Sequence, residues 1–461
     1  MAPSFGTSGL RGLVTELTPE LVARYTHAFL AACPNGGALF VGRDLRPSSP
    51  RIAANVIEAA LSVGLRVVDC GALSTPALAL ASLGAKASAI MITGSHIPAD
   101  RNGLKFYVPS GEISKADEAA IVAAAENGAT LPKSRGTLEA APQAAATYVE
   151  RYAAAFGTDA LGGLRIGVYR HSSVARDEME AALRALGAEV ISLAHSDTFI
   201  PVDTEAVDPA TRSMLAQWCK EYGLDSVVST DGDADRPMVT DAVGVVIPGD
   251  ILGVLTALHL GAREICTPVS SNDMVNLVTG FDAVHMTRIG SPYVIAAMEE
   301  VLACNPTAKV VGFEANGGFL LGYQAGRLAP LMTRDSLLPI IAPLVAAKAT
   351  GKTLREMIGA LPPVFTAADR VQEIDREKAG ALLADLIGSV AVREDFFKST
   401  GEIASLDLTD GLRVKTTKGE VVHLRPSGNA PEFRVYAQAA TTARAEEIVA
   451  QYMSTLSQSL G

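Results

Sequence analysis

The sequence holds only five cysteines, Cys33, Cys70, Cys219, Cys266 and Cys304, and no two of them form a C-x-x-C pair. That scatter excludes a disulfide framework and a thiolate metal centre, and it points to a reducing cytoplasm with the thiols used as core filler. Basic side chains are in deficit, 39 Lys and Arg against 50 Asp and Glu, for a formal charge of -11. A protein of that sign offers no general field to a phosphate backbone, so nucleic acid is not an expected partner. A small anionic substrate stays open where local cations outvote the global charge. Long apolar runs are missing too: Leu337 to Ala347 is broken by proline and falls short of the roughly 18 residues that a membrane span needs. Met1 to Gly12 lacks the basic stretch and apolar run of a secretory signal. The expectation is a soluble cytoplasmic protein without a membrane partner.

What the sequence does have is 461 residues, 48% of them apolar, enough for three or four domains of roughly 100 to 200 residues, each with a core. Several segments repeat one design, a helix-period apolar run, a short link that often contains glycine, and a β-branched run ending in a polar loop. Met179, Ala182, Leu183 and Leu186 precede Gly187 and a strand at Glu189 to Leu193; Leu215, Trp218, Cys219 and Tyr222 precede Gly223 and a strand at Ser226 to Ser229. The pattern recurs at Val294 to Leu302 before Lys309 to Phe313, and at Ile52 to Leu61 before Leu65 to Asp69, with a further strand at Ser88 to Thr93. Strands apolar on both faces need helices on both faces, hence mostly parallel pairing. The last hundred residues differ: Gly411 to Thr416, Glu420 to Arg425 and Phe433 to Ala437 read as antiparallel strands, with a closing helix near Ala443 to Leu456. We therefore expect three α/β domains with mixed, mostly parallel sheets over 1–153, 154–249 and 250–365, and a C-terminal α+β domain over 366–461.

In α/β sheets ligands bind beyond the carboxyl ends of the strands, so the polar residues after each apolar run are where chemistry is to be sought. Thr93-Gly94-Ser95-His96-Ile97-Pro98 sets a hydroxyl and an imidazole on a small-residue turn, where serine can carry a covalent group if a base or metal stands by. A turn serine bonded to its own backbone is the plainer alternative. Ten residues on, Lys105 sits where a turn could return its ammonium to that loop. Asp231-Gly232-Asp233-Ala234-Asp235-Arg236 places three carboxylates at alternate positions, which repel strongly unless a cation lies among them. An EF-hand would want glycine at its sixth position and glutamate at its twelfth, where Arg236 and Ala242 stand, so magnesium fits better than calcium. Gly312 to Gly318 presents Glu314 and Asn316, a pair suited to sugar hydroxyls. Arg425-Pro426-Ser427-Gly428-Asn429 combines an arginine fork with exposed backbone N–H groups, a plausible phosphate cradle. Arg11 lies in Phe5 to Gly12, a loop with little packing purpose.

Serine loop, aspartate loop, glutamate loop and arginine loop, in that order and one per expected domain, resemble the α-D-phosphohexomutases, in particular their phosphomannomutase and phosphoglucomutase branch. The likeness runs from Phe5-Gly6-Thr7-Ser8-Gly9-Leu10-Arg11-Gly12 to Asn429. It implies four domains around a central cleft, with Ser95 as the phosphorylated serine and magnesium held by Asp231, Asp233, Asp235 and the phosphoserine. It also implies sugar recognition by Glu314 and Asn316, substrate binding by Arg236, and distal phosphate binding by Arg425, Ser427, Gly428 and Asn429. Arg11, Lys105 and His96 fall near the transferring phosphoryl group, with Lys105 and His96 both open as the handler of the hydroxyl proton. The implied reaction interconverts mannose 6-phosphate and mannose 1-phosphate through a hexose 1,6-bisphosphate, which also serves as activator, in a monomer or homodimer.

The sequence departs from the family at two of these loops. The common T-A-S-H-N-P appears with Gly94 and Ile97, and the frequent G-E-x-S-G-H ends in Gly318 rather than histidine. Thr287-Arg288-Ile289-Gly290-Ser291, in the place of another specificity loop, also lacks a histidine. A phosphoglucomutase or dual-specificity enzyme is the near alternative, since mannose and glucose differ only at C2. A magnesium-dependent sugar phosphatase or a non-catalytic binding protein stands further off.

Overall fold

The computed structural model describes residues 3–6, 9–426 and 432–460. They form two compact units, Met1–Ile265 with Gly290–Ile358, and Cys266–Ile289 with Gly359–Gly461. Among the described residues no helix is long and apolar enough to cross a membrane.

The first unit opens with an eight-stranded sheet. In spatial order its strands are Ser4–Gly6, Gly9–Leu13, Arg101–Val108, Ser88–Ile92, Ala38–Arg43, Arg66–Ala72 and Leu138–Ala140, with Gly111–Glu112 beside Arg101–Val108. Ala38–Arg43 pairs in parallel with both Arg66–Ala72 and Ser88–Ile92, and Ser88–Ile92 pairs antiparallel with Arg101–Val108. Every residue of Ser88–Ile92 is buried, as expected of a central strand covered on both faces. Helices Pro19–Ala32 and Ser49–Leu61 pack Val22, Phe29, Ile52 and Val56 against the core residues Leu39, Val41 and Ile90. Each begins with proline in its first turn, where the missing N–H costs nothing.

A second sheet in this unit runs Glu189–His195, Arg165–His171, Ser226–Thr230 and Pro237–Val239, the first three parallel and the last antiparallel. The expected helix-to-strand units are present here. Arg176–Ala185 precedes Gly187 (φ +90°), and Pro209–Tyr222 ends at the left-handed Gly223, a C-cap that only glycine adopts without strain. Further along, Val310–Phe313, Phe319–Leu321 and Leu331–Asp335 form an antiparallel ladder. The proline-broken stretch is the helix Leu337–Thr350, which is buried on nearly all sides.

The second unit carries a five-stranded antiparallel sheet in the order Phe365–Gln372, Glu432–Ala439, Val421–Pro426, Leu412–Thr416, Ile403–Asp407. Helix Thr442–Leu460 buries Ala445, Ile448, Val449, Tyr452 and Leu456, a single 3.6-residue stripe, in the same core as Leu424, Phe433 and Val435.

Two expectations about local structure need correction. Lys105 lies in the middle of strand Arg101–Val108, opposite Met91, and not in a turn. Arg11 lies in strand Gly9–Leu13, opposite Gly103, and not in a loop. The glycines that suggest turns serve a different purpose. A Cβ on Gly9 would collide with the Leu104 carbonyl, and one on Gly103 with the Leu10 carbonyl, so both are required by close strand approach.

Candidate active site

Strand Ser88–Ile92 delivers the serine loop at its carboxyl end. Ser95 has φ +54°, a left-handed conformation that serine adopts only when its surroundings hold it there. Its N–H donates to Thr93 Oγ1 at 2.7 Å, and its Oγ donates to Asp231 Oδ2 at 2.6 Å. His96 Nδ1 is 3.3 Å from the same Oγ.

The residue that holds this loop is Arg46, which sequence reasoning missed. It is 1% exposed, and all of its guanidinium nitrogens are engaged. Nε donates to Asp44 Oδ2 (3.1 Å), Nη1 to the carbonyls of Pro98 (2.7 Å) and Arg101 (3.0 Å), and Nη2 to those of Ser95 (2.8 Å) and Ile97 (2.5 Å). Phe199 covers the guanidinium at 4.1 Å from its ring centroid. Gly94 is explained by the same group, since a Cβ there would stand 2.7 Å from Arg46 Cζ.

The aspartate loop follows Ser226–Thr230, as expected. It is fastened by backbone as much as by charge. Asp231 N–H donates to the Arg236 carbonyl, Thr75 N–H to the Asp233 carbonyl, Val174 N–H to the Gly232 carbonyl, and Ser336 Oγ to the Ala234 carbonyl. Asp231, Asp233 and Asp235 are buried, with one ligand atom from each lying within 4.8 Å of the others, and among the described residues they are the cluster able to hold a metal ion. Lys105 Nζ donates to Asp233 Oδ2 at 2.5 Å and Asp235 Oδ2 at 2.6 Å, and Thr75 Oγ1 donates to Asp233 Oδ2 at 2.7 Å. Asp233 Oδ1 and Asp235 Oδ1 accept no hydrogen bond among the described residues, which leaves buried lone pairs suited to a cation. Burial, and then the neighbouring Asp233 and Asp235, push the Asp231 carboxyl well above its ordinary value. Burial also acts on the other two but is outweighed. The Lys105 ammonium holds Asp233 below the carboxylate range, and the Arg334 guanidinium is the largest opposing influence on Asp235. The donor set therefore fits a hard divalent cation.

Arg236 lies 4.0 Å from Asp231 Oδ2 and 3.9 Å from Asp235 Oδ1. Arg11 is near enough to Arg236, Asp233, Arg334 and Asp235 for their charges to act on it, and burial lowers it to about 10. Glu314 follows Val310–Phe313. Its N–H donates to the Gly318 carbonyl at 3.2 Å, and Asn316 Oδ1 accepts from Gly318 N–H at 2.9 Å, closing a compact loop. Burial raises the Glu314 carboxyl, while Arg334 and Arg236 pull it back. Arg334 is the second residue missed by sequence reasoning: Nη2 stands 2.8 Å from Asp235 Oδ2 and Nη1 3.6 Å from Glu314 Oε2. The first unit thus brings together Ser95, His96, Lys105, Arg11, the three aspartates, Arg236, Glu314 and Asn316.

In the second unit, Arg425 Nε donates to Asp410 Oδ1 at 2.8 Å, while Asp410 Oδ2 accepts from Ile289 N–H at 2.9 Å. One carboxylate thus joins the arginine to the 287–289 stretch. Ser427, Gly428 and Asn429 lie outside the described residues.

A buried serine hydroxyl bonded to an acidic triad, ringed by buried cations, is an arrangement suited to phosphoryl transfer, and comparison with known proteins agrees. Models of the four phosphoglucomutase/phosphomannomutase domains match this chain in order, α/β/α domain I over residues 2–131, domain II over 146–244, domain III over 248–365 and the C-terminal domain over 368–454. The chain belongs to this family of phosphohexomutase enzymes. It is 44% identical over 475 residues to a phosphomannomutase of Sinorhizobium fredii, covering 100% of both chains. It is 43% identical to a phosphomannomutase of Salmonella muenchen, over 99% of this chain and 96% of the relative. A phosphoglucomutase/phosphomannomutase family protein of Burkholderia thailandensis shares the fold, with a TM-score of 0.78 at 20% identity over 98% of this chain and 97% of that one.

Proposed function

We propose that this enzyme interconverts mannose 6-phosphate and mannose 1-phosphate through a phosphorylated Ser95 and a hexose 1,6-bisphosphate. The observation that carries the proposal is the 2.6 Å hydrogen bond between Ser95 Oγ and Asp231 Oδ2, which sets the nucleophile directly against the acidic triad. The preference for mannose rests on the two phosphomannomutases at 43% and 44% identity.

Charge supports the assignment. Five carboxyl groups, the three aspartates, Glu314 and Glu205, stand among four cations, Lys105, Arg11, Arg236 and Arg334. A phosphoserine adds about -1.5 to -2 more. Magnesium held by Asp231, Asp233, Asp235 and the phosphoserine would supply the compensating charge and polarise the phosphoryl oxygens. Arg11 and Lys105 add fixed positive charge in a buried site, where it acts strongly on the transition state.

In the forward direction a substrate hydroxyl gives up its proton as its oxygen attacks phosphorus, the bond from phosphorus to Ser95 Oγ breaks, Ser95 Oγ takes up a proton in return, and a bisphosphate forms. After the sugar turns round, Ser95 Oγ attacks the other phosphate, the bond from that phosphorus to the sugar oxygen breaks, and the product leaves. In this second half the proton leaving Ser95 Oγ passes to His96 Nδ1, 3.3 Å away, and the departing sugar oxygen takes up a proton in exchange. Glu314 and Asn316 hold hydroxyls shared by the two orientations, Arg236 contributes to substrate binding, and Arg425, Ser427, Gly428 and Asn429 bind the phosphate that is not being transferred.

A coupled assay offering mannose 1-phosphate and glucose 1-phosphate side by side, with bisphosphate and magnesium, tests the reading. Wild type should favour mannose 1-phosphate in kcat/KM, and Ser95→Ala should lose turnover of both. Substantial activity in Ser95→Ala would remove the covalent route.

A further inference from the structure

Glu314 and Asp235 are carried by different sheets of the first unit, and one side chain reaches both. Arg334, on Leu331–Asp335, is 4% exposed, and its two terminal nitrogens face Asp235 and Glu314 separately. Its aliphatic stem lies on the backbone of Gly318, where a Cβ would stand 2.7 Å from Arg334 Cδ and 2.8 Å from Cγ. The Glu314 loop can rest on the arginine only because residue 318 has no side chain. The chain after Arg334 is pinned as well. Asp335 accepts from Tyr148 at 2.6 Å and from Tyr152, and Ser336 Oγ donates to the Ala234 carbonyl at 2.7 Å. With its stem against the loop and the two residues after it fastened, the guanidinium has little room to swing away from the pair it spans.

We propose that Arg334 is a positioning residue that sets the separation between the hydroxyl-binding Glu314 and the aspartate triad, and that Gly318 is the position that admits it. A planar fork can hold two carboxylates at a fixed spacing, whereas an ammonium is a single point of charge. Displacing Arg334 would therefore shift Glu314 relative to the transferring phosphoryl group without removing any group that touches substrate. The inference rests on the mutase reading for the role of Glu314, while the coupling between residues 318 and 334 is a property of the fold.

The test is a double-mutant cycle on the full chain, using Gly318→Ala, Arg334→Ala and the pair, with Arg334→Lys as a conservative fourth variant. Steady-state KM and kcat for mannose 1-phosphate and the melting temperature are measured for each. Gly318→Ala alone should raise KM by about tenfold or more, with a smaller change in kcat, and lower the melting temperature. In the Arg334→Ala background the same substitution should change KM by less than about twofold and leave the melting temperature unmoved. Arg334→Lys should fold and still show the raised KM. Equal cost of Gly318→Ala in both backgrounds, or loss confined to kcat in Arg334→Lys, would overturn the proposal. Should wild type lack mutase activity, the functional reading fails, and the cycle in melting temperature still decides the coupling.

Discussion

Replacing Arg46 by lysine keeps its charge and removes its geometry. The arginine satisfies four carbonyls, those of Ser95, Ile97, Pro98 and Arg101, and closes an ion pair with Asp44. An ammonium has three donors on one atom and cannot reach both edges of that set. At least two of these carbonyls should lose their donor; the Ser95 bond is buried and the other three part-buried, so at about 1–3 kcal/mol for a buried group and less for the others Arg46→Lys should destabilise the first unit by about 1–4 kcal/mol. The catalytic consequence follows from the left-handed Ser95 (φ +54°), whose carbonyl accepts one of these bonds. Release of about 1–3 kcal/mol of backbone strain would let the loop relax and carry Oγ off Asp231. At about 1.4 kcal/mol per decade of rate, turnover should fall by about 10- to 100-fold. Urea unfolding reports the first effect, and initial rate together with Ser95 phosphate content by intact mass reports the second. Gly94→Ala, which drives a Cβ to 2.7 Å from Arg46 Cζ, should reproduce the rate defect. An Arg46→Lys enzyme with wild-type rate and urea midpoint would refute the claim that this guanidinium holds the nucleophile.

Two further outcomes are expected. Burial lowers the His171 imidazole from 6.5 to about 4 while its Nε2 stays bonded to the Thr230 carbonyl. The unfolded chain therefore binds the proton more readily, and stability present above pH 6.5 is lost as the pH falls towards 4, by about 3 kcal/mol; urea midpoints of wild type and His171→Gln between pH 7 and 4 should diverge accordingly, and parallel curves would contradict this. Asp233→Asn should weaken magnesium binding by calorimetry by about tenfold or more, since it removes one of three anionic donors, and an unchanged affinity would place the cation elsewhere.

The parts legible in the sequence were those with a local signature. Three aspartates at alternate positions after a β-branched run, a hydroxyl on a small-residue turn, and the helix stripes ahead of Gly187 and Gly223 all declare themselves within ten residues. Arg46 and Arg334 do not. Their roles depend on partners far along the chain, Ser95 at a separation of 49 residues for Arg46, and no local spacing marks a buried guanidinium. Arg11 and Lys105 stand out in the sequence as candidates, but the pattern around them suggests loop and turn, because glycines needed for strand contact look like turn glycines. Strands Phe365–Gln372 and Ile403–Asp407 also escaped notice. They are the two edges of their sheet and are largely exposed or half-buried, so they lack the apolar alternation of their neighbours.

In the proposed reaction Ser95 carries the phosphoryl group between the two ends of the sugar. Charging the enzyme with isotopically labelled hexose 1,6-bisphosphate and magnesium, followed by peptide mapping, addresses it most directly. One labelled phosphate should appear on the peptide containing Ser95 and be discharged on addition of unlabelled mannose 1-phosphate. Turnover with no label on Ser95, or with the label on another residue, would contradict it.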